Sequence, residues 1–398
     1  MFKFIHTSDW HLGQNFYSYD RNEEQRDFLR QLADIVHEHT PDALLVSGDV
    51  YHAAAPSNAA VNLYVDEMLN IHEACPTMAI IVIAGNHDSA SRLDSDKRLW
   101  KRAGVNVLGG IARDKDGFAD LNSHIITVKD KGIVAAVPFA YPGSFPLTSD
   151  ANDIVREQRQ RAYFQALLDQ ANNQNGGNLP VVLMAHLAVS NSDCTGHSMK
   201  MECVELDALG HGYDYAALGH IHRPQNLSDR TRYSGTPVPV SFDEQCEHSV
   251  SIVTIEGHNA MPLIEKIGIK NLKPLHTIPA NDPVDFDEAL KLAAMSRDIA
   301  GAYIRLNVKT ERYLPNGAQE RAARTINEMS GRFCEIKNTS SVVTSRPQQQ
   351  MTVEELNNLR PVEVAKRYFL REYNREMTEQ ELEMFNYVYQ LIQEEDRR

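Results

Sequence analysis

The sequence holds places where an apolar run stops and a metal-binding side chain follows within a few residues. Ile5 leads into His6-Thr7-Ser8-Asp9-Trp10-His11, and Val46 into Ser47-Gly48-Asp49. Ala84 leads into Gly85-Asn86-His87-Asp88, and Ala185 directly into His186. Leu218 leads into Gly219-His220-Ile221-His222. Carboxylate oxygen, imidazole nitrogen and amide oxygen, with no thiolate, suit borderline-to-hard divalent ions such as Mn²⁺, Fe²⁺ or Zn²⁺. The donors suffice for two ions with one bridging carboxylate. Two ions about 3.5–4 Å apart clamp a phosphate and make a nucleophile from water. Taken singly, each ending has an ordinary reading. An Asp after a strand is usually a turn or a helix cap, a lone His a structural hydrogen-bonder, and Asn-His-Asp a polar turn. Five endings in this order point to one site.

The elements that must position these residues are an alternation of buried strands and helices. Phe2–Ile5, Ala43–Val46, Ala79–Ala84, Val181–Ala185 and Tyr215–Leu218 read as strands. Gln25–His39 and Ser57–Cys75 read as helices between them, the second with Pro56 at its start. Strand–helix–strand alternation gives an α/β class. In such sheets sites form at the carboxyl ends of strands, so the five endings converge on one crevice. Ile125–Val128 and Ile133–Val137, split by Lys129–Gly132, read as a hairpin, so the sheet is not purely parallel.

A second unit starts near Asn271. Leu275–Ile278, Ala302–Val308 and Phe333–Lys337 read as strands, with helices at Asp285–Arg297 and Ala318–Met329. In the middle strand Ile304, Leu306 and Val308 alternate with Arg305, Asn307 and Lys309. The C-terminal stretch carries two capping-box signatures, Thr352-x-x-Glu355 and Thr378-x-x-Glu381. Each precedes an apolar stripe: Val362, Ala365, Phe369 and Tyr373, then Leu382, Phe385, Val388 and Ile392. Two helices this short make no core of their own. They pack back on the body or dock on a partner. The expected division is residues 1–270, 271–345 and 346–398.

Composition narrows the class. The chain has 398 residues, 42% hydrophobic and 24% charged, as in ordinary globular proteins. No apolar run is long enough to span a membrane, and Met1–His6 has no signal pattern, so secretion is not expected. Five scattered cysteines without C-x-x-C spacing argue against a disulfide framework or thiolate zinc site and fit a reducing cytoplasm. A net charge of −14 excludes a broad basic surface for nucleic acid, but not a local groove. The chain carries no G-x-x-x-x-G-K-[ST] motif for ATP.

D-x-H, G-D, G-N-H-D, a lone H and G-H-x-H, in that order, resemble the calcineurin-like metallophosphoesterases over about residues 1–245. The resemblance implies a β-sandwich of two mixed sheets flanked by helices, so the strands divide between two sheets. The Arg of the Ser/Thr phosphatases' G-D-x-x-D-R-G is missing from Gly48–Ala54. Tyr51 lies one position short of the purple acid phosphatases' Tyr ligand, and His52 takes that place, as in the DNA-repair nucleases. Ser8–Ser18 (SDWHLGQNFYS) and Ser234–Glu244 (SGTPVPVSFDE) closely resemble the family of SbcD-type exonuclease subunits, bacterial counterparts of the double-strand-break repair nuclease. The order of nuclease domain, small α/β cap and helical tail also matches.

By that resemblance, one ion is held by Asp9, His11, Asp49 and His222, and the other by Asp49, Asn86, His186 and His220, with Asp49 bridging. Water activated at the pair attacks phosphorus in line. Mn²⁺ is the leading candidate for both ions. His87 donates a proton to the leaving oxygen, a role suited to imidazole. His52 stabilises or positions the phosphate, and Asp88 orients His87 by accepting its other N–H or caps the next helix. The implied activity is 3′→5′ exonuclease on duplex DNA and endonuclease on single strands and hairpins. The implied assembly is a homodimer, through the nuclease domain, with a coiled-coil ATPase of SbcC type in a two-plus-two complex, the tail helices docking on the ATPase. A small-molecule phosphodiesterase or phosphatase with the same metal pair is the second reading. A scaffold whose metal site has decayed is disfavoured, since every expected ligand is present.

DNA-contacting residues are less defined. Arg92, Lys97, Arg98, Lys101 and Arg102 with Trp100 suit a backbone-tracking or stacking surface. An amphipathic helix with Trp100 buried explains them equally. Arg305 and Lys309 are candidates on the cap strand, while Arg156, Arg159 and Arg161 read as solvated.

Overall fold

The computed structural model describes residues 1–148, 155, 158–194, 203–244, 246–310, 313–340 and short stretches between 362 and 385. It divides into a compact unit Met1–Thr339 and a second unit Ser340–Arg398.

Two six-stranded sheets form the body of the first unit. In the first, Phe2–Thr7, Ala43–Ser47, Ala79–Ile83 and Val105–Leu108 run parallel in that order. Ser249–Ile255 pairs antiparallel on the other side of Phe2–Thr7, and Leu263–Gly268 forms that edge. In the second sheet, Gly132–Val137, Val181–His186, Tyr215–Gly219 and Thr231–Tyr233 are parallel. Its antiparallel edges are Ile125–Val128 and Gln225–Ser228. Both sheets are mixed, the second through the hairpin at residues 125–137.

Alternating side chains explain why these strands are apolar throughout. Phe2, Phe4, Ala43, Leu45, Ile81 and Ile83 meet Met184, Tyr215 and Ala217 in the layer between the sheets. Ile5, Leu44, Val46, Ile80 and Val82 face outward, under helices Asn22–His39 and Asn58–Ala74. Helix Arg159–Gln174 covers the outer face of the second sheet through Tyr163, Phe164, Leu167 and Leu168. A strand buried on both faces has no polar side to show. Ser57 caps its helix by accepting the Ala60 N–H at 3.2 Å.

A third sheet, of three strands, stands apart in the same unit. Leu275–Ile278 pairs parallel with Tyr303–Thr310, and Arg332–Ser340 lies on the other side. Helices Phe286–Met295 and Ala318–Glu328 close its core over Ile304, Leu306 and Val308. This small module meets the body through Phe16, Phe242 and Tyr303, all buried. The Arg21 guanidinium lies 5.1 Å from the Phe16 ring and 5.6 Å from that of Tyr303.

In the second unit, Thr378 and Glu381 form the expected capping box. Glu381 Oε2 accepts the Thr378 N–H at 2.9 Å, and Thr378 Oγ1 accepts the Glu381 N–H at 3.3 Å. Thr352, Glu355, Tyr373, Val388 and Ile392, together with Arg156 of the body, lie outside the described residues. None of the five cysteines forms a disulfide. Among the described residues no helix is long and apolar enough to cross a membrane.

Candidate metal centre

The parallel strands of both sheets deliver their carboxyl ends to one edge of the sandwich. Phe2–Thr7 leads to Asp9 and His11, Ala43–Ser47 to Asp49, and Ala79–Ile83 to Asn86. From the facing sheet, Val181–His186 ends on His186 itself and Tyr215–Gly219 leads to His220 and His222. Just beneath the site the sheets are joined by polar contacts. Ser47 Oγ donates to the Ala217 carbonyl at 3.0 Å, and His6 Nε2 to the Leu218 carbonyl at 3.1 Å.

The glycines in the motifs belong to this junction. A Cβ on Gly219 would stand 1.9 Å from the Ser47 carbonyl oxygen. Gly48 has φ +91°, and a Cβ there would meet His186 Nδ1 at 2.3 Å. After the strand ends the chain reverses sharply. Asp9, His11, Asp49 and His220 have φ of 54°, 46°, 50° and 104°. Non-glycine residues avoid that region, and such strain collects at functional sites.

The donor atoms converge. Asp9, His11 and His222 form one cluster with ligand atoms within 4.8 Å of one another, and Asp49, His186 and His220 form another. His11 Nε2 lies 3.7 Å from Asp49 Oδ2, and His186 Nε2 lies 3.5 Å from Asp49 Oδ1, which puts Asp49 between the two. Asn86 Oδ1 is 3.0 Å from His186 Nε2 and 2.8 Å from His220 Nδ1. His52 and His87 stand beside the first cluster, their ligand atoms within 4.8 Å of that of His11.

Tautomers show what these contacts need. His186 Nδ1 lies 2.8 Å from the Ser47 carbonyl, which only accepts, so Nδ1 carries the proton and Nε2 a lone pair in the neutral ring. That lone pair faces oxygens of Asn86 and Asp49. His222 Nδ1 donates to Glu244 Oε1 at 3.1 Å, which turns its Nε2 lone pair toward His11 Nε2, also 3.1 Å away. The His186 lone pair beside the Asn86 and Asp49 oxygens makes a place suited to a cation. Hydrogen bonds on the far side of each ring are what metal-binding histidines require.

The electrostatics agree. Burial, with Asp49 second, holds Asp9 well above the usual carboxylate range. Burial also pushes Asp49 up to about 6. Burial, then the neighbouring His222, holds His11 well below the normal imidazole value, and burial lowers His186 to about 4. Neutral imidazoles are ready to ligate, and the crowded carboxylates lack only positive charge. The residues therefore fit a pair of divalent ions.

A half-buried rim opens this centre to solvent: Asn86, His222, His52 and His87. The His52 and His87 rings stack at 5.6 Å. His87 Nδ1 donates to the His52 carbonyl at 2.8 Å, which leaves Nε2 as the other nitrogen of the ring.

Asp88 is placed differently from the expectation. His87 Nδ1 is taken by the His52 carbonyl, so Asp88 does not orient that ring. The Asp88 carboxylate turns back and accepts the N–H groups of Gly85 at 2.8 Å, Tyr51 at 2.8 Å and Val50 at 3.1 Å. It ties the loop carrying Asn86 and His87 to the loop carrying Asp49. Arg305 also departs from expectation: it is buried and bonded within the structure. Trp100 packs edge-on against Tyr64 at 5.4 Å, while Arg92, Lys97, Arg98, Lys101 and Arg102 are exposed. Lys309, Arg159 and Arg161 lie at or near the surface as well, and Arg161 pairs with Asp207 at 2.6 Å.

Sequence reasoning missed the supporting residues. Ser8 Oγ donates to Asp9 Oδ2 at 2.5 Å and contacts Ser234 Oγ at 2.8 Å. Thr236 Oγ1 donates to the Asp9 carbonyl at 2.8 Å. Glu244 holds His222. All lie within the stretches Ser8–Ser18 and Ser234–Glu244.

The chain is also similar to known proteins. The calcineurin-like phosphoesterase family model matches residues 2–224. The SbcD subunit of the nuclease SbcCD from Rhodobacter capsulatus is 31% identical over 78% of this chain and 81% of its own length. The SbcD subunit from Escherichia coli K12 is 31% identical over 69% of this chain and 70% of its own. That from Bacillus subtilis is 29% identical over 61% and 63%.

Proposed function

We propose a nuclease function from the premise that this chain belongs to the calcineurin-like phosphoesterase family and, within it, to the SbcD subunits of SbcCD nucleases. The chain is a hydrolase and the nuclease subunit of an SbcCD-type complex, cutting DNA phosphodiesters at ends and hairpins. Supporting this most directly is the convergence of Asp9, His11, Asp49, Asn86, His186, His220 and His222, drawn from both sheets, beside a His87 whose Nε2 is left for proton transfer.

Asp9, His11, Asp49 and His222 would hold one ion, and Asp49, Asn86, His186 and His220 the other, with Mn²⁺ the leading candidate. Bound there, two divalent ions supply the positive charge that clamps a phosphate and activates water. The chain's own residues do the rest. Asn86 and His222 present the open side of the centre to the phosphodiester. His87 acts as an imidazolium, giving its Nε2 proton to the leaving oxygen while its Nδ1–H stays bonded to the His52 carbonyl. His52 braces His87 by stacking and faces the phosphate. Asp88 acts one step back, fixing both loops.

The finer reading is 3′→5′ exonuclease action on duplex DNA and endonuclease action on single strands and hairpins, with ATP dependence supplied by an SbcC-type ATPase. Residues 1–270 would form the nuclease domain, 271–345 a cap beside the DNA and 346–398 the tail that docks on the ATPase. The exposed cations Arg92, Lys97, Arg98, Lys101 and Arg102 support a backbone-tracking surface. Homodimerisation through the nuclease domain belongs to the same reading. A net charge of −14 makes binding by the isolated subunit weak and steeply salt-dependent. The setting is cytoplasmic, on nucleoid DNA.

The test is cleavage of end-labelled duplex and hairpin DNA with Mn²⁺, wild type beside His87→Ala, with and without the ATPase partner and ATP. Cleavage by wild type alone is the expected result. Turnover of small phosphodiesters without any DNA cleavage would replace this reading by a small-molecule phosphodiesterase.

A further inference from the structure

The turn Val240–Glu244 lies between the metal centre and the small module. Its last residue, Glu244, is buried and accepts His222 Nδ1–H through Oε1. Its neighbour Asp243 faces the module: Oδ1 accepts Arg305 NH1 at 2.8 Å and Lys337 Nζ at 3.4 Å. The Arg305 guanidinium also lies 5.0 Å from the Phe242 ring, and its Nε donates to Thr277 Oγ1 at 3.0 Å. Arg305 sits mid-strand in Tyr303–Thr310, with its side chain 5% exposed. Consecutive residues of one turn thus grip two different bodies.

The turn is braced internally. Glu244 Oε2 accepts the Val240 N–H at 3.1 Å, the Glu244 N–H donates to the Ser241 carbonyl at 3.3 Å, and the Asp243 N–H donates to Ser241 Oγ at 3.2 Å. A braced turn transmits a displacement instead of absorbing it. His186 offers the contrast, because its anchor, the Ser47 carbonyl, is backbone of the sandwich itself. The anchor of His222 is a side chain of the turn that the module grips through Asp243.

We infer that Arg305 is a positioning residue for the metal centre: by clasping Asp243 it sets Glu244, Glu244 sets the His222 ring, and the seating of the small module thereby tunes the affinity of the ion that His222 holds. This rests on the two-ion reading above. Supporting partners of metal-binding histidines typically govern 10–100-fold in affinity. An indirect contribution through the turn is smaller, about 5–10-fold on that scale.

Mn²⁺ titration of the full chain, followed by calorimetry and by electron paramagnetic resonance, tests it. Wild type should bind two ions. Glu244→Gln should weaken one of them 10–100-fold. Arg305→Met should weaken that same ion about 5–10-fold and leave the other within twofold, with Arg305→Lys recovering part of the loss. Lys309→Met, exposed on the same strand, should change neither. Wild-type affinity for both ions in a folded Arg305→Met protein overturns the inference, and so does equal weakening of both. Should Arg305→Met fail to fold, Asp243→Asn removes the same ion pair from the other side, with the same two outcomes deciding. A wild type that binds fewer than two ions would instead remove the two-ion reading itself.

Discussion

His186 and Ser47 belong to different sheets, yet His186 Nδ1 donates to the Ser47 carbonyl at 2.8 Å. One hydrogen bond therefore fixes a metal-facing ring and fastens the two sheets. Truncation to His186→Ala should lower bound Mn²⁺ from two ions to one, measured by equilibrium titration. Because ligands bound only to the folded state stabilise it, a chelator should lower the melting temperature of wild type more than that of the variant.

Gly219→Ala should be among the most damaging small substitutions. Its Cβ would lie 1.9 Å from the Ser47 carbonyl oxygen and 2.9 Å from His186 Nδ1. Overpacking of this kind costs roughly 1–3 kcal/mol or more. Urea denaturation of the metal-free protein should show that loss, and a variant as stable as wild type would mean the sheets separate easily there.

His87→Gln should separate catalysis from metal binding. The cleavage rate should fall roughly 10²–10⁴-fold, the usual contribution of a general acid. Mn²⁺ affinity should stay within about twofold of wild type, since His87 is assigned to neither ion.

Asp88→Asn tests the different position found for this carboxylate. Three backbone N–H groups share its two oxygens, and an amide offers only one acceptor oxygen. Leaving a buried donor unpaired costs about 1–3 kcal/mol, so reduced stability and faster proteolysis of the Val50–Ser57 loop should accompany any loss of activity.

His6 gives the metal-free protein a pH dependence of known sign. Burial, with the Arg232 charge second, lowers its pKa to about 3 from an ordinary 6.5. The neutral ring is kept in the fold while the unfolded chain takes up a proton below pH 6.5. Stability from this group is complete above pH 6.5 and is lost as pH falls toward 3. Between pH 6.5 and 5 the loss is about 2 kcal/mol. Urea melts of wild type and His6→Gln over that range should converge by that amount; parallel curves would show that the ring protonates in the fold.

Much of the centre was legible because its donors follow directly on strands too apolar to be anything else. Val46-Ser47-Gly48-Asp49 is such a case. The pairing of those strands was not legible: burial on both faces erases the periodicity that would separate one sheet from two, and the division came from family resemblance. Leu263–Gly268, with Glu265 and Lys266 exposed, and the polar Gln225–Ser228 are edge strands with little apolar signal. Ser8, Ser234, Thr236 and Glu244 are common residue types whose importance depends on contacts across the fold. Asp88 was misassigned because sequence adjacency to His87 suggests a partner, whereas the turn directs its carboxylate backward. Arg305 alternates as a surface residue should, but the body of the protein covers that face.

His11 and His222 stand 211 residues apart in sequence and 3.1 Å apart in space. While the chain emerges from the ribosome, the first half of the donor set has nothing to close against. A nuclease built this way is silent until the chain has been made through His222, because no earlier fragment carries a donor set that can close.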